Sequence, residues 1–257
     1  MFIQKHFRTH QKLQNGSMAK KVDILAIGAH PDDVELAAGG TIIKSIQQGK
    51  KVAIVDLTQG ELGSRGTIET RYDEADNAAK IMGVEYRENL KLADGFFELN
   101  EKSLLKLVTA IRKYQPEIVL SNAPSDRHPD HGRGSDFISR ACFLSGLLKV
   151  ETESDGENQM HWRPKVVYHY IQDRYLAPSF IVDVSDQKEQ KFEAILAYKT
   201  QFFQADMTGP KTPISGKEYI NAIEARLIQF GRDIGVKYGE GFITERPVGI
   251  NDISIFL

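Results

Sequence analysis

The chain has a single cysteine, Cys142, among 257 residues. That excludes an intrachain disulfide and fits a reducing, cytoplasmic setting. Its neighbours in Ala141-Cys142-Phe143-Leu144 are apolar, so the thiol is expected to be buried and inert. No apolar run approaches the ~20 residues that a membrane span needs. Neither charge sign dominates: the formal net charge is -2, which gives no electrostatic case for nucleic acid. The first 17 residues are polar and basic, and they lack the apolar core of ~7–15 residues that a secretory signal carries. Asn15-Gly16-Ser17-Met18 points to Met18 as the natural start, with residues 1–17 a disordered leader or added tail and residues 18–257 one domain. His6 and His10 belong to that tail and stay out of any metal argument. The Gly-rich stretch Gly60-Glu61-Leu62-Gly63-Ser64-Arg65-Gly66 lacks the Gly-Lys-Ser/Thr ending of a phosphate loop.

What is present reads as a soluble α/β chain, 41% hydrophobic and 26% charged. Strand-like apolar runs alternate with helical patterns after residue 20, as in βαβ units. Strands are expected at 22–28, 52–57, around 86–90, at 118–120, 166–171 and 180–184. Helices are expected over 34–48, 69–82 with Gly83 as the stop, from Asn100 to before Pro116, over 132–147, through Tyr198 after a capping box at 186–189, and from a second box at 215–218 to about 234. Residues 151–161 read as a polar loop, and 204–215 as lid-like. The fold expected is Rossmann-like, a three-layer α/β/α arrangement on a mostly parallel sheet.

Two strand ends carry unusual chemistry. The first apolar run breaks into Ala29-His30-Pro31-Asp32-Asp33, and the run 118–120 is followed by Asp126-Arg127-His128-Pro129-Asp130-His131. The second cluster reads as a tight turn rather than a helical face. Imidazoles and carboxylates at short spacing are ordinary metal ligands, and open α/β sheets bind ligands beyond the carboxyl ends of their strands. Asp32 and Asp33 could instead serve only as a helix cap with dipole-stabilising acids. Two matching clusters at two strand ends are harder to explain in that way.

These motifs resemble the LmbE-like (PIG-L) family of zinc-dependent N-acetylglucosamine deacetylases. The likeness extends to Thr58–Thr67, Thr70-Arg71, Glu74-Ala75, Pro178–Val184 and Tyr238-Gly239-Glu240-Gly241-Phe242. The resemblance implies one zinc per subunit, held by His30, Asp33 and His131, with iron(II) or cobalt also compatible with such ligands. It implies Asp32 as general base, His128 assisting the tetrahedral intermediate with Asp130 orienting it, and Arg71 on the substrate. A homo-oligomer is implied too, with a hexamer the form in view. Lys199-Thr200-Gln201-Phe202 and the Tyr238–Phe242 segment favour the bacillithiol branch, whose substrate is N-acetylglucosaminyl-malate. A general N-acetylglucosamine or chitooligosaccharide deacetylase, and a non-catalytic metal- or sugar-binding module, are the alternatives.

Amide hydrolysis explains the residue types. The metal lowers the pKa of its water from ~15.7 to about 7 and polarises the carbonyl. One acid can bind the ion while its neighbour accepts the proton of the water. The leaving nitrogen needs a proton that either Asp32 or His128 could deliver. Arg71 and Arg127 are candidates for a substrate carboxylate, or for surface ion pairs, and Glu61 is a candidate for sugar hydroxyls.

Overall fold

The computed structural model describes residues 20–205 and 209–256; the expected tail at 1–17 lies outside the described residues. In chain order the elements begin β1 Ile24–Gly28, α1 Asp33–Gln47, β2 Val52–Thr58, α2 Ile68–Met82, β3 Tyr86–Leu92, α3 Glu101–Tyr114, β4 Ile118–Ser121 and α4 Pro129–Ser145. There follow β5 Glu153–Ser154, β6 Glu157–Asn158, β7 Val166–Tyr170, β8 Phe180–Asp183, α5 Lys188–Leu196, α6 Lys217–Asp233 and β9 Gly239–Thr244. Seven strands form one sheet in the order β3-β2-β1-β4-β7-β9-β8. The first five are mutually parallel, while β9 runs antiparallel to both β7 and β8.

Alternation along the central strands explains why they read as unbroken apolar runs. Ile24 and Ala26 of β1 join the core that contains Ala37, Ile42, Ala78 and Ile195 from α1, α2 and α5. Leu25 and Ile27 join the opposite core, with Leu107, Ile111, Phe137 and Ile138 from α3 and α4. Both faces are covered, so both residue parities must be apolar. The expected three-layer, mostly parallel α/β fold is what the chain adopts.

Chain direction across the sheet reverses at β1, which has β2 on one side and β4 on the other. A crevice opens beyond the carboxyl ends of the strands at such a switch point. The two polar clusters follow β1 and β4, so the topology places them side by side.

Several local expectations give way. The helix expected from residue 132 starts at Pro129, because His128 is its N-cap and its Nδ1 accepts the N–H of Asp130 at 3.2 Å. Proline costs nothing at that first position, where its missing N–H would have had no partner. Asp130 and His131 therefore stand on the first turn of α4 rather than in a free turn. Part of the expected loop 151–161 is a small hairpin, β5 with β6. It turns on Asp155-Gly156, both at positive φ, as a tight two-residue hairpin requires.

Neither expected capping box forms. Lys188 opens α5 after a 3-10 turn without a side-chain cap, and Ser215 is bonded to Thr212 instead. Strand β9 was masked by Gly239 and Gly241, which depress strand propensity. Both are needed for close packing of α6: a Cβ at 241 would stand 2.9 Å from the Phe230 ring, and one at 239 would stand 2.9 Å from Gly231 N and 3.0 Å from the Phe230 carbonyl carbon.

Candidate active site

The turn after β1 positions two adjacent acids differently. Asp33 opens α1, is almost fully buried, and points at histidines: its Oδ1 lies 3.0 Å from His131 Nε2 and its Oδ2 lies 3.6 Å from His30 Nδ1. Asp32 occupies the N-cap position but makes no capping hydrogen bond. It is 5% exposed and has φ 118°, a conformation that costs a residue with a Cβ of order 1–3 kcal/mol. Burial raises its carboxyl to about 7, with Asp33 adding to the rise and the Arg71 guanidinium opposing it. A plain helix cap would show none of these three costs. The capping explanation fails for Asp32.

The far side of each imidazole is held by an acid. His30 Nε2 lies 2.9 Å from Asp94 Oδ1 and 3.4 Å from Asp130 Oδ2. His131 Nδ1 lies 2.7 Å from Asp126 Oδ2. Ring nitrogens of His30, His128 and His131 fall within 4.8 Å of one another. A carboxylate on the distal ring nitrogen is the usual support of a metal-binding histidine.

The charge balance points the same way. Burial alone would lower His131, but Asp33 and Asp126 reverse this and bring it up to about 9. Burial opposes protonation of His30 as well, yet hydrogen bonds with Asp130, Asp33 and Asp94 hold it well above its ordinary value. Against its own burial, Asp33 is held well below the usual carboxylate range by His131 and His30. Two protons thus crowd one carboxylate where a divalent cation would serve the same charges. His30, Asp33 and His131 therefore suit a metal of the zinc, iron(II) or cobalt type.

His128 differs from both other histidines. Burial and the neighbouring His30 and His131 lower its pKa, and its Nδ1 is taken as an acceptor by the Asp130 N–H. The neutral ring consequently carries its proton on Nε2. The expectation that Asp130 orients His128 holds only for its main chain. The Asp130 carboxylate faces His30 and Arg133 and accepts the Gly95 N–H at 2.8 Å.

The expected substrate residues are brought to the site unequally. Arg71 is buried, donates to Pro31 O at 2.7 Å and reaches Asp32 Oδ2 at 3.4 Å. Arg127 is exposed and ion-paired with Asp173. Glu61 is exposed at the rim, where its Oε1 accepts the Asp94 N–H at 2.8 Å. Sequence reasoning missed Asp94 altogether and gave Asp126 no role. Asp126 sits five residues before His131, close enough that the motif could have suggested it. Asp94 lies in the Ala93-Asp94-Gly95 turn after β3 and had no such signal.

The fold and the site define an α/β protein with a buried cluster of His and Asp side chains at the strand ends that could hold a metal ion. Residues 25–142 match the PIG-L family model, described as GlcNAc-PI de-N-acetylase, and the chain belongs to this family. It is 38% identical over 145 residues to the uncharacterized deacetylase YaiS of Escherichia coli, covering 54% of this chain and 78% of that one. It is 28% identical over 229 residues to the diacetylchitobiose deacetylase of Thermococcus kodakarensis, covering 85% of this chain and 81% of that one. The "probable N-acetyl-alpha-D-glucosaminyl L-malate deacetylase 2" of Bacillus anthracis is 24% identical over 199 residues, 72% of this chain and 84% of that one. Among solved structures, a conserved protein of Thermus thermophilus superposes with a TM-score of 0.79 at 34% identity, covering 90% of this chain and 98% of that one.

Proposed function

We propose that this chain, one domain from about residue 18 onward, is a metal-dependent N-deacetylase acting on an N-acetylglucosamine-containing saccharide. The observation that carries the reading is Asp32: buried, strained, free of any capping role, and adjacent to the metal-type ligand Asp33. When bound, a zinc-type ion supplies Lewis acidity, lowering the pKa of a water from ~15.7 to about 7 and polarising the acetyl carbonyl.

The chain's own residues carry the proton and the charge. Asp32, its carboxyl lifted by burial, takes the proton of the attacking water as its oxygen bonds to the acetyl carbon. A carboxyl with a pKa near the working pH can both accept and release a proton. When the carbon–nitrogen bond breaks, Asp32 returns that proton to the departing nitrogen, giving acetate and a free amine. His128 Nε2–H donates to the carbonyl oxygen as negative charge gathers there, a kind of contact worth roughly 3–4 kcal/mol in other acyl-transfer sites. Arg71 holds Asp32 and the Pro31 carbonyl in place.

The two arginines weighed for a substrate carboxylate bear on the choice of aglycone. A malate conjugate brings two carboxylates and needs a free positive subsite. Arg71 is committed to Asp32 and Pro31, and Arg127 to Asp173. This favours a neutral glucosaminide such as diacetylchitobiose, the sugar named for the Thermococcus relative. N-acetylglucosaminyl-malate, named for the Bacillus relative, is the second reading.

The test is acetate release by the zinc-loaded protein from diacetylchitobiose, N-acetylglucosamine and N-acetylglucosaminyl-malate. The neutral disaccharide is expected to be turned over with the highest kcat/KM. Preference for the malate conjugate would select the second reading, and no acetate from any of the three would overturn the proposal. In the same assay His131→Ala is expected to lose both bound zinc, by metal analysis, and turnover. Chelation of the wild type should abolish activity, and added zinc should restore it.

A further inference from the structure

Asp33 is gripped at both oxygens by side-chain amides from two other strand ends. Asn122, directly after β4, is fully buried and donates from Nδ2 to Asp33 Oδ2 at 3.0 Å. Its Oδ1 accepts the Ala29 N–H at 2.9 Å, so one amide joins the exit of β1 to the acid four residues later. Its main-chain carbonyl is fixed by His169 Nδ1 at 2.9 Å. Gln172, two residues after β7, is 4% exposed and donates from Nε2 to Asp33 Oδ1 at 2.8 Å.

Gln172 Oε1 is buried and finds no hydrogen-bond partner among the described residues. An unmade buried hydrogen bond costs a protein about 1–3 kcal/mol. Turning the amide over would not help, since it would set an oxygen against the Asp33 carboxylate. A leucine of similar bulk would remove both the donor and the orphaned acceptor, which can be neutral or stabilising for the fold. Fold stability alone therefore does not account for a glutamine here, whereas a fixed Asp33 carboxylate does.

We infer that Asn122 and Gln172 are positioning residues for the metal, one amide on each oxygen of Asp33, setting the plane and reach of that carboxylate toward His30 and His131. The inference rests on the metal reading given above. Amides suit the task because they donate without carrying charge and keep their protons when a cation arrives. A lysine or arginine in either place would neutralise Asp33 and weaken its hold on a metal. Residues that orient a metal ligand typically contribute 10–100-fold to affinity when removed.

The test uses the full chain, stripped of metal and titrated with zinc against a chromophoric chelator, then with cobalt(II) to record its visible spectrum. Gln172→Leu is expected to keep or raise Tm while weakening zinc about 10–100-fold and changing the cobalt band. Asn122→Ala should weaken zinc to a similar degree. Should that variant fail to fold, Gln172→Leu decides alone. Gln172→Leu with unchanged zinc affinity and an unchanged cobalt spectrum would overturn the inference while leaving the deacetylase reading intact. Wild-type protein that takes up no zinc or cobalt would overturn both.

Discussion

Asp32→Asn is expected to bind zinc as the wild type does and to release acetate about 10²–10⁴-fold more slowly. Asparagine matches the carboxylate in shape and can still accept from Arg71 Nη2, which lies 3.4 Å from Oδ2. What it cannot do is take a proton from water. Metal uptake should survive because the His30, Asp33 and His131 contacts do not run through Asp32. Zinc content and the steady-state rate, measured on the same preparation, check the prediction. A variant with a near wild-type rate would eliminate Asp32 as general base.

A second pair of variants isolates the backbone cost. At φ 118° any Cβ is strained, so Asp32→Gly should be more stable than Asp32→Ala by about 1 kcal/mol. That value is the strain relieved less the extra freedom glycine has when unfolded. Both variants lack the carboxylate, so their difference in denaturant midpoint reports the turn alone. Asp32→Gly no more stable than Asp32→Ala would mean that the strain at this turn does not exceed the extra freedom of the unfolded glycine, about 0.4–1 kcal/mol.

The legible and illegible parts of this chain differ in range. The sandwiched strands were readable because a sheet covered on both faces demands apolar residues at every position, and β1, β2 and β4 meet that demand. The polar turn after β1 stood out because His30, Asp32 and Asp33 crowd into four positions where a core has no use for them. The start of α4 was misplaced because Pro129 looks like a helix breaker unless His128 is seen as its cap. Strand β9 was hidden by glycines whose purpose lies in α6, where Phe230 presses on Gly241. Asp94, Asn122 and Gln172 reach their partners across 64, 89 and 139 residues. Such pairs leave no periodic mark in one sequence, so only the fold reveals them.

The largest stability effect is expected at another long-range pair, Lys191 with Glu240. Both side chains are fully buried, with Nζ 2.6 Å from Oε1. The pair enters the backbone of α1: Lys191 donates to Leu36 O at 2.9 Å, and Glu240 accepts the N–H groups of Gly40 at 2.8 Å and Thr41 at 2.7 Å. Gly40 makes room for this, since a Cβ there would stand 2.8 Å from Val184 and 3.1 Å from Glu240. Breaking a buried pair by removing one partner costs about 3–5 kcal/mol, which in a chain of this size lowers Tm by roughly 6–20 °C. Glu240→Gln should approach that loss, because it removes the paired charge from the Lys191 ammonium and sets an amide NH2 against the Gly40 or Thr41 N–H. Lys191→Met should cost less, since the Glu240 carboxylate keeps two main-chain donors.

The two variants should also differ in pH dependence. Burial already lowers the Lys191 pKa, with Glu240 resisting the shift, and without Glu240 it should fall further. Between that lowered native value and the unfolded lysine value of ~10.4 the unfolded chain binds more protons than the native one, so stability rises with pH across that window. Glu240→Gln should therefore recover part of its lost Tm between pH 7 and 9, and Lys191→Met/Glu240→Gln should not. Denaturation curves at the two pH values, recorded on the metal-loaded protein, decide the matter. A Glu240→Gln loss that ignores pH would assign the cost to the α1 contacts of Gly40 and Thr41 rather than to the stranded ammonium.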